Sequence, residues 1–295
     1  MRAWRFIASL CAFAVLSFHA RSFSRERFHY KSDDSIQQEN GVKRDTDAAF
    51  SLLKRDRNTD ALAAFENVLE TDSTFFRAHY GKGLALRKLQ RPTEAISALK
   101  ASLRHAPNYA IAYFALGNVY SDLEKYHEAI AVYNQALQQD PKLANAYYHR
   151  GLVHQKLRQP KEAISSFRAA IAIDPNLETA HHALGLALAE KGELQEAVEC
   201  FQRAARIKAS EGNCYRLAET YNKLNKPQQA LEAAELGLKK NPAFAPAAFE
   251  AGVALKTLGR TAEAITKFQI AATDSNWKQR AEDQIEELNR ASAKR

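Results

Sequence analysis

The sequence predicts an all-α protein made of one helical hairpin repeated along the chain, and three observations carry this. Helix-favouring residues dominate the 295 positions, glycines number only 11, and no β-branched run of strand length occurs. An alanine recurs at Ala61, Ala95, Ala129, Ala163, Ala197, Ala230 and Ala264, at intervals of 34, 34, 34, 34, 33 and 34 residues, and such a period marks stacked repeats. Twelve residues before each alanine stands a small residue: Ala49, Gly83, Gly117, Gly151, Gly185, Ala218 or Gly252.

A glycine inside a helix costs about 1 kcal/mol relative to alanine, so its recurrence needs a compensating reason. Close helix contact supplies one, because a side chain forced between two packed helices costs on the order of 1 to 3 kcal/mol. Four residues after each alanine comes Phe65, Leu99, Tyr133, Phe167, Phe201 or Phe268, with Ala234 the small exception. Alanine and large residue share one helix face. Helix-stopping prolines close the units at Pro107, Pro141, Pro175 and Pro242. Between the two helices of a unit lies Gly192, Gly259 or Asn225, or else Pro92, Pro160 or Pro227 opens the second helix. A lone hairpin would leave an apolar face in water, so neighbours must stack.

The N-terminal stretch differs. Residues 6–18 carry no charge and are flanked by Arg2 and Arg5 before and Arg21, Arg25 and Arg27 after. Thirteen helical residues would reach about 20 Å against a hydrocarbon core of about 30 Å, short for a span. Residues 1–20 therefore read as a targeting or anchoring segment. A secretory signal, leading to a periplasmic or membrane-associated protein, is one reading, with small residues Val15 and Ser17 before a cut. A mitochondrial presequence is the alternative, since no acid precedes Glu26 and Arg21-Ser22-Phe23 resembles a processing site. Residues 21–41 are polar and read as a linker.

The formal net charge is +8, but half of the excess lies in the first 44 residues, leaving +4 for the remainder. No dense Lys/Arg stripe with interleaved aromatics is present, which argues against nucleic acid as a partner. Cys11, Cys200 and Cys214 form no CxxC motif; Cys200 and Cys214 fall on neighbouring helices, where they could pair or act as small buried hydrophobes.

The repeat resembles the tetratricopeptide repeat family. Residues 110–143 carry the pattern most fully, with Tyr113, Leu116, Gly117, Tyr120, Ala129, Tyr133, Ala136 and Pro141 in place. In this register seven units occupy 42–75, 76–109, 110–143, 144–177, 178–210, 211–244 and 245–276. Residues 277–295 would form a solvating helix with Trp277, Ala281, Ile285 and Leu288 on one face. The resemblance implies an all-α, right-handed superhelical solenoid of hairpins, whose first helices line a concave groove.

No reactive constellation accompanies the frame. His149 and His154 do not share a helix face, His181 and His182 are adjacent, and no HExxH, phosphate loop or nucleophile elbow exists. His79 and His181, at the fourth place of their units, read as packed histidines. No metal, cofactor or catalytic residue is expected, and the chain reads as a non-enzyme.

The resemblance places the fifth, ninth, twelfth and thirteenth positions of each unit in the groove. The fifth holds Tyr80, Phe114, Tyr148, His182, Tyr215 and Phe249, a nearly continuous aromatic row. Such rings serve either to pack successive first helices or to contact a ligand as well. Asn118 stands at a ninth place, and Arg87, Lys156 and Lys223 contribute to a basic margin. The expected partner is a peptide or protein with some acidic residues, held by a scaffold that assembles a complex. Aromatics at the fifth place are unlike the lysine of chaperone-tail clamps in this family, so no EEVD-type tail is expected. An organellar RNA-binding repeat factor is the alternative, disfavoured because the groove places change character from unit to unit.

Overall fold

The computed structural model describes residues 33–293. The leader with its cleavage sites, Cys11 and the linker as far as residue 32 lie outside the described residues. Among the described residues are fifteen helices and no strand, in two compact units that divide after Ser73. No helix among them is long and apolar enough to cross a membrane.

In the first unit α1 (Asp33–Lys54) and α2 (Asn58–Thr71) form a hairpin. Ala49, Ala61 and Phe65 are fully buried between them, and the Phe50 and Phe65 rings meet edge to face at 5.0 Å. The helix begins at Asp33, inside the polar stretch 21–41. Gln37, Gln38 and Glu39 are good helix formers, and Lys43 donates to Glu39 one turn earlier at 2.8 Å.

The second unit contains six further hairpins. Their first helices are α3 (Phe76–Lys88), α5 (Ala110–Asp122), α7 (Ala144–Lys156), α9 (Glu178–Lys191), α11 (Glu211–Lys223) and α13 (Ala245–Thr257). Their second helices are α4 (Pro92–His105), α6 (Tyr126–Gln139), α8 (Pro160–Ile173), α10 (Leu194–Ile207), α12 (Pro227–Lys240) and α14 (Thr261–Ala271). The terminal helix α15 (Lys278–Ala293) packs on α14. Each second helix packs against the first helix of its own hairpin and that of the next, and α3–α5, α5–α7, α7–α9 and α11–α13 also touch directly. The first helices thus form one continuous layer and the second helices another.

The small residues sit where helices cross most closely. A Cβ added to Gly117 would lie 2.5 Å from the Tyr133 ring, and one on Gly185 or Gly252 would lie 2.7 or 2.6 Å from Phe201 or Phe268. In the sixth repeat Ala218 takes the glycine's place because the facing residue, Ala234, is small; both are fully buried.

Every hairpin turns through one left-handed residue. Asp56, Gln90, Glu124, Arg158 and Asn225 have φ between 53° and 58°, and Gly192 and Gly259 have 87° and 75°. Pro92, Pro160 and Pro227 stand at the start of second helices, where their missing N–H goes unmissed. Between hairpins the side chains of Asp140, Asp174 and Asn241 accept backbone N–H bonds two residues on, at 2.9, 3.0 and 3.1 Å. The recurring Asp-Pro is therefore a turn in which the carboxylate holds the backbone and the proline sets φ.

A single apolar cluster runs from Ala163 to Leu288. Ala281 and Leu288 of α15 are buried in it, with Trp277 and Ile285 packed against it, closing the stack as a terminal cap.

Candidate functional site

The first helices carry the candidate site, and the fifth-place side chains are built into the stack. Each meets a partner in its own hairpin, in the next first helix, or in both. Tyr80 meets Tyr109, just ahead of α5, at 5.4 Å. Phe114 lies 6.0 Å from Tyr133 and 5.2 Å from His149 of α7. Tyr148 lies 6.0 Å from Phe167 and 5.2 Å from His149. His182 meets Phe201 at 5.7 Å, and its Nδ1 is 2.7 Å from Asn213 Oδ1 of α11. Asn213 Nδ2 also donates to Glu178 Oε1 at 2.6 Å, tying α9 to α11. Tyr215 meets Phe244 and Trp277 at 6.3 and 6.1 Å, while Phe249 meets Phe268 and Trp277 at 5.4 and 5.1 Å.

Phe114 and His182 thus act as struts between successive first helices, and Tyr80 and Tyr215 reach the residue just ahead of the next one. Phe249 is buried, and the other members of the row are half-buried. Burial, aided by the neighbouring Tyr109, pushes the Tyr80 phenol up to about 12, so it is a neutral hydroxyl at all physiological pH. Burial likewise raises Tyr148 and Tyr215.

The polar residues are less available than their positions suggest. Asn118 is buried, and its Oδ1 accepts from the Tyr133 hydroxyl at 2.7 Å. The basic margin is largely neutralised within the chain. Arg87 donates to both carboxylate oxygens of Asp122 at 2.5 and 3.2 Å, and Lys223 pairs with Glu219 at 2.9 Å. Lys256 reaches Gln284 and Glu287 of the cap. Lys156 is exposed on α7.

Sequence reasoning missed a polar pair at the end of this layer. Glu250 is 7% exposed and accepts from Asn222 Nδ2 at 2.8 Å. Burial raises its pKa, against the lowering effect of that hydrogen bond. Burial also acts to raise Glu219, but hydrogen bonds from Lys223 and Arg216 outweigh it and leave that carboxyl below its ordinary value. An acid at the sixth place of α13, the one polar residue between Ala245 and Leu255, was the available signal. The Arg280 guanidinium lies 4.7 Å from the centres of both the Phe249 and Trp277 rings.

Among the described residues, His181 and Cys214 are buried and Cys200 is half-buried. His181 is buried with Nε2 3.0 Å from the Pro175 carbonyl, and no group of three His, Cys, Asp or Glu among the described residues could hold a metal ion. Cys200 and Cys214 are free thiols, which corrects the disulfide alternative; burial pushes Cys200 up to about 11, so it is a poor nucleophile.

Models of the tetratricopeptide repeat match residues 46–110, 144–177, 178–209 and 215–281, and a model described as TPR repeat matches 117–157. The chain belongs to the tetratricopeptide repeat family. Among solved structures, the tetratricopeptide array is similar to YrrB, described as a TPR protein with an unusual peptide-binding site, at 25% identity over 62% of this chain and 95% of that one, TM-score 0.52. Similarity of fold extends to PilF of Pseudomonas aeruginosa, at 15% identity over 72% and 96% of the two chains, TM-score 0.64. It extends also to PilW, a type IV pilus biogenesis factor, at 19% identity over 69% and 94%, TM-score 0.60. No curated protein matches the chain significantly.

Proposed function

We propose that this tetratricopeptide array is a non-enzymatic scaffold that holds a peptide segment of a partner protein along its first helices and so assembles a complex. The observation that carries the reading is the row of half-buried rings at one place of successive first helices, Tyr80, Phe114, Tyr148, His182 and Tyr215. A partner can add contacts to rings already held rigid by their neighbours, which lowers the ordering cost of binding. YrrB, at 25% identity, is described as carrying a peptide-binding site, which supports the same use here.

An acidic residue of the partner fits best at Lys156, since Arg87 and Lys223 already hold carboxylates. We place the seven repeats at 42–276 and, from the leader, the protein on the secretory route in a periplasmic or membrane-associated location.

Affinity capture with the mature chain tests the groove. Lys156→Glu, a surface change, and Phe114→Ala with Tyr148→Ala should each reduce recovery of the captured partner. Undiminished recovery by both, with helical circular dichroism retained, would overturn the groove assignment. N-terminal sequencing tests the route: a start at residue 18 or 21 supports secretion, and a start at 24 supports mitochondrial import.

A further inference from the structure

The fourth repeat breaks the pattern of its neighbours in a way the groove does not use. At the seventh place repeats three, five, six and seven bury Leu116, Leu184, Leu217 and Ala251, while the second repeat carries Lys82, and at the eleventh Leu86, Leu188 and Leu255 are buried. Helix α7 instead places Arg150 and His154 there. The apolar core is interrupted accordingly. Ala129, Tyr133 and Val153 form one small cluster and Ala136, Leu137 and Ala146 another, with the Arg150–Asn134 contact lying between them.

Arg150 is more than half buried, yet every group that holds it is neutral. Its Nη1 donates to Asn134 Oδ1 at 2.7 Å, its Nε donates to Ser166 Oγ at 3.3 Å, and its guanidinium stands 5.1 Å from the Tyr147 ring centre. Burial draws its pKa below the ordinary value, opposed by Tyr147 and by no carboxylate. A partly buried cation held only by neutral groups retains attraction for an anion at its open side.

The guanidinium borders an open cavity of about 320 Å³ lined by Arg150, His154, Lys161, Glu162, Ser165 and Ser166. That volume is several times the roughly 30 Å³ share of one water, enough for a small polyatomic ion. Its donors are of the right kind: the unspent Nη2 of Arg150, the exposed Lys161 ammonium, and two hydroxyls, of which Ser166 accepts from Arg150 and retains its own proton to give. So many donors from two helices suit a tetrahedral oxyanion better than a planar carboxylate. Nδ1 of His154 is engaged, 2.7 Å from Gln159 Oε1. Glu162 opposes an anion from the exposed rim.

We propose that the α7–α8 cavity binds a phosphoryl group, held by Arg150, Lys161, Ser165 and Ser166. The site lies apart from the aromatic row and stands independently of the groove reading.

The test uses the full mature chain with inorganic phosphate as probe, by isothermal titration and by thermal melting against chloride at matched ionic strength. Phosphate should bind and raise the melting midpoint. Arg150→Leu, which restores the residue type of the neighbouring repeats, should keep the fold and weaken phosphate affinity by about tenfold or more, the worth of a charge-assisted hydrogen bond. Lys161→Gln should weaken it as well, and Glu162→Gln should strengthen it. A phosphoserine peptide compared with its unphosphorylated twin assigns the source. Tighter binding than inorganic phosphate supports the site and names a partner's phosphorylated side chain; equal binding supports it and names the free ion. Identical melting in phosphate and chloride, or a folded Arg150→Leu with unchanged phosphate affinity, overturns the proposal. Should Arg150→Leu fail to fold, unchanged affinity in Lys161→Gln overturns it equally.

Discussion

Gly151 of α7 and Phe167 of α8 are packed so closely that a Cβ on the glycine would lie 2.5 Å from the phenylalanine ring. Phe167 is fully buried and ringed by its neighbours, so it has nowhere to retreat. Gly151→Ala should therefore destabilise the protein by about 1 to 2 kcal/mol, an overpacking cost of 1 to 3 offset by up to 1 of helix propensity. Urea unfolding measures it. In a Phe167→Leu background the same alanine should cost less, because the facing ring is gone; equal cost in both backgrounds would show that the contact is not the cause.

Glu124 turns the third repeat with φ of 57°, a conformation that L side chains rarely adopt. Glu124→Gly should stabilise by about 0.5 to 1 kcal/mol, the left-handed strain removed less the entropy that glycine adds to the unfolded chain. Gly192→Ala, where φ is 87°, should lose a comparable amount. Chemical denaturation of the pair gives opposite signs if the turn conformation is responsible.

Tyr133 and Asn118 hold each other inside the third repeat at 2.7 Å. Tyr133→Phe leaves the buried amide unmatched and should cost about 1 to 3 kcal/mol, whereas adding Asn118→Leu should recover part of that loss by removing the stranded group. A double-mutant cycle reads the coupling directly.

Glu250 makes stability depend on pH. Its carboxyl is raised above the ordinary 4.5 by burial, so the folded state binds a proton more readily than the unfolded one. The resulting contribution is present at pH below 4.5 and is lost as pH rises through the higher folded value. Glu250→Gln keeps an acceptor for Asn222 without the charge. It should stabilise the protein at neutral pH and flatten the stability profile across that window, as followed by melts from pH 4 to 8.

Much of the fold was legible in residues because the repeat imposes the same packing problem seven times. The glycine that faces Tyr133 in one unit faces Phe167 and Phe201 in others, so the close helix crossing shows as a period. Turn conformation was legible only in part. Gly192, Gly259 and Asn225 advertise a left-handed turn, whereas Asp56, Gln90, Glu124 and Arg158 adopt it under the constraint of the two packed helices.

What the sequence by itself determined is the hairpin and its stacking, since both follow from which faces are apolar, and apolar faces are written at fixed intervals. What only the tertiary structure decided is which side chains are already spent. Arg87 meets a carboxylate 35 residues away on the next first helix, Asn118 turns inward to Tyr133 of the second helix of its hairpin, and Arg150 is held by Asn134 and Ser166 of two different helices. Charge and burial depend on neighbours brought together from different helices, and no spacing along one chain encodes that partnership.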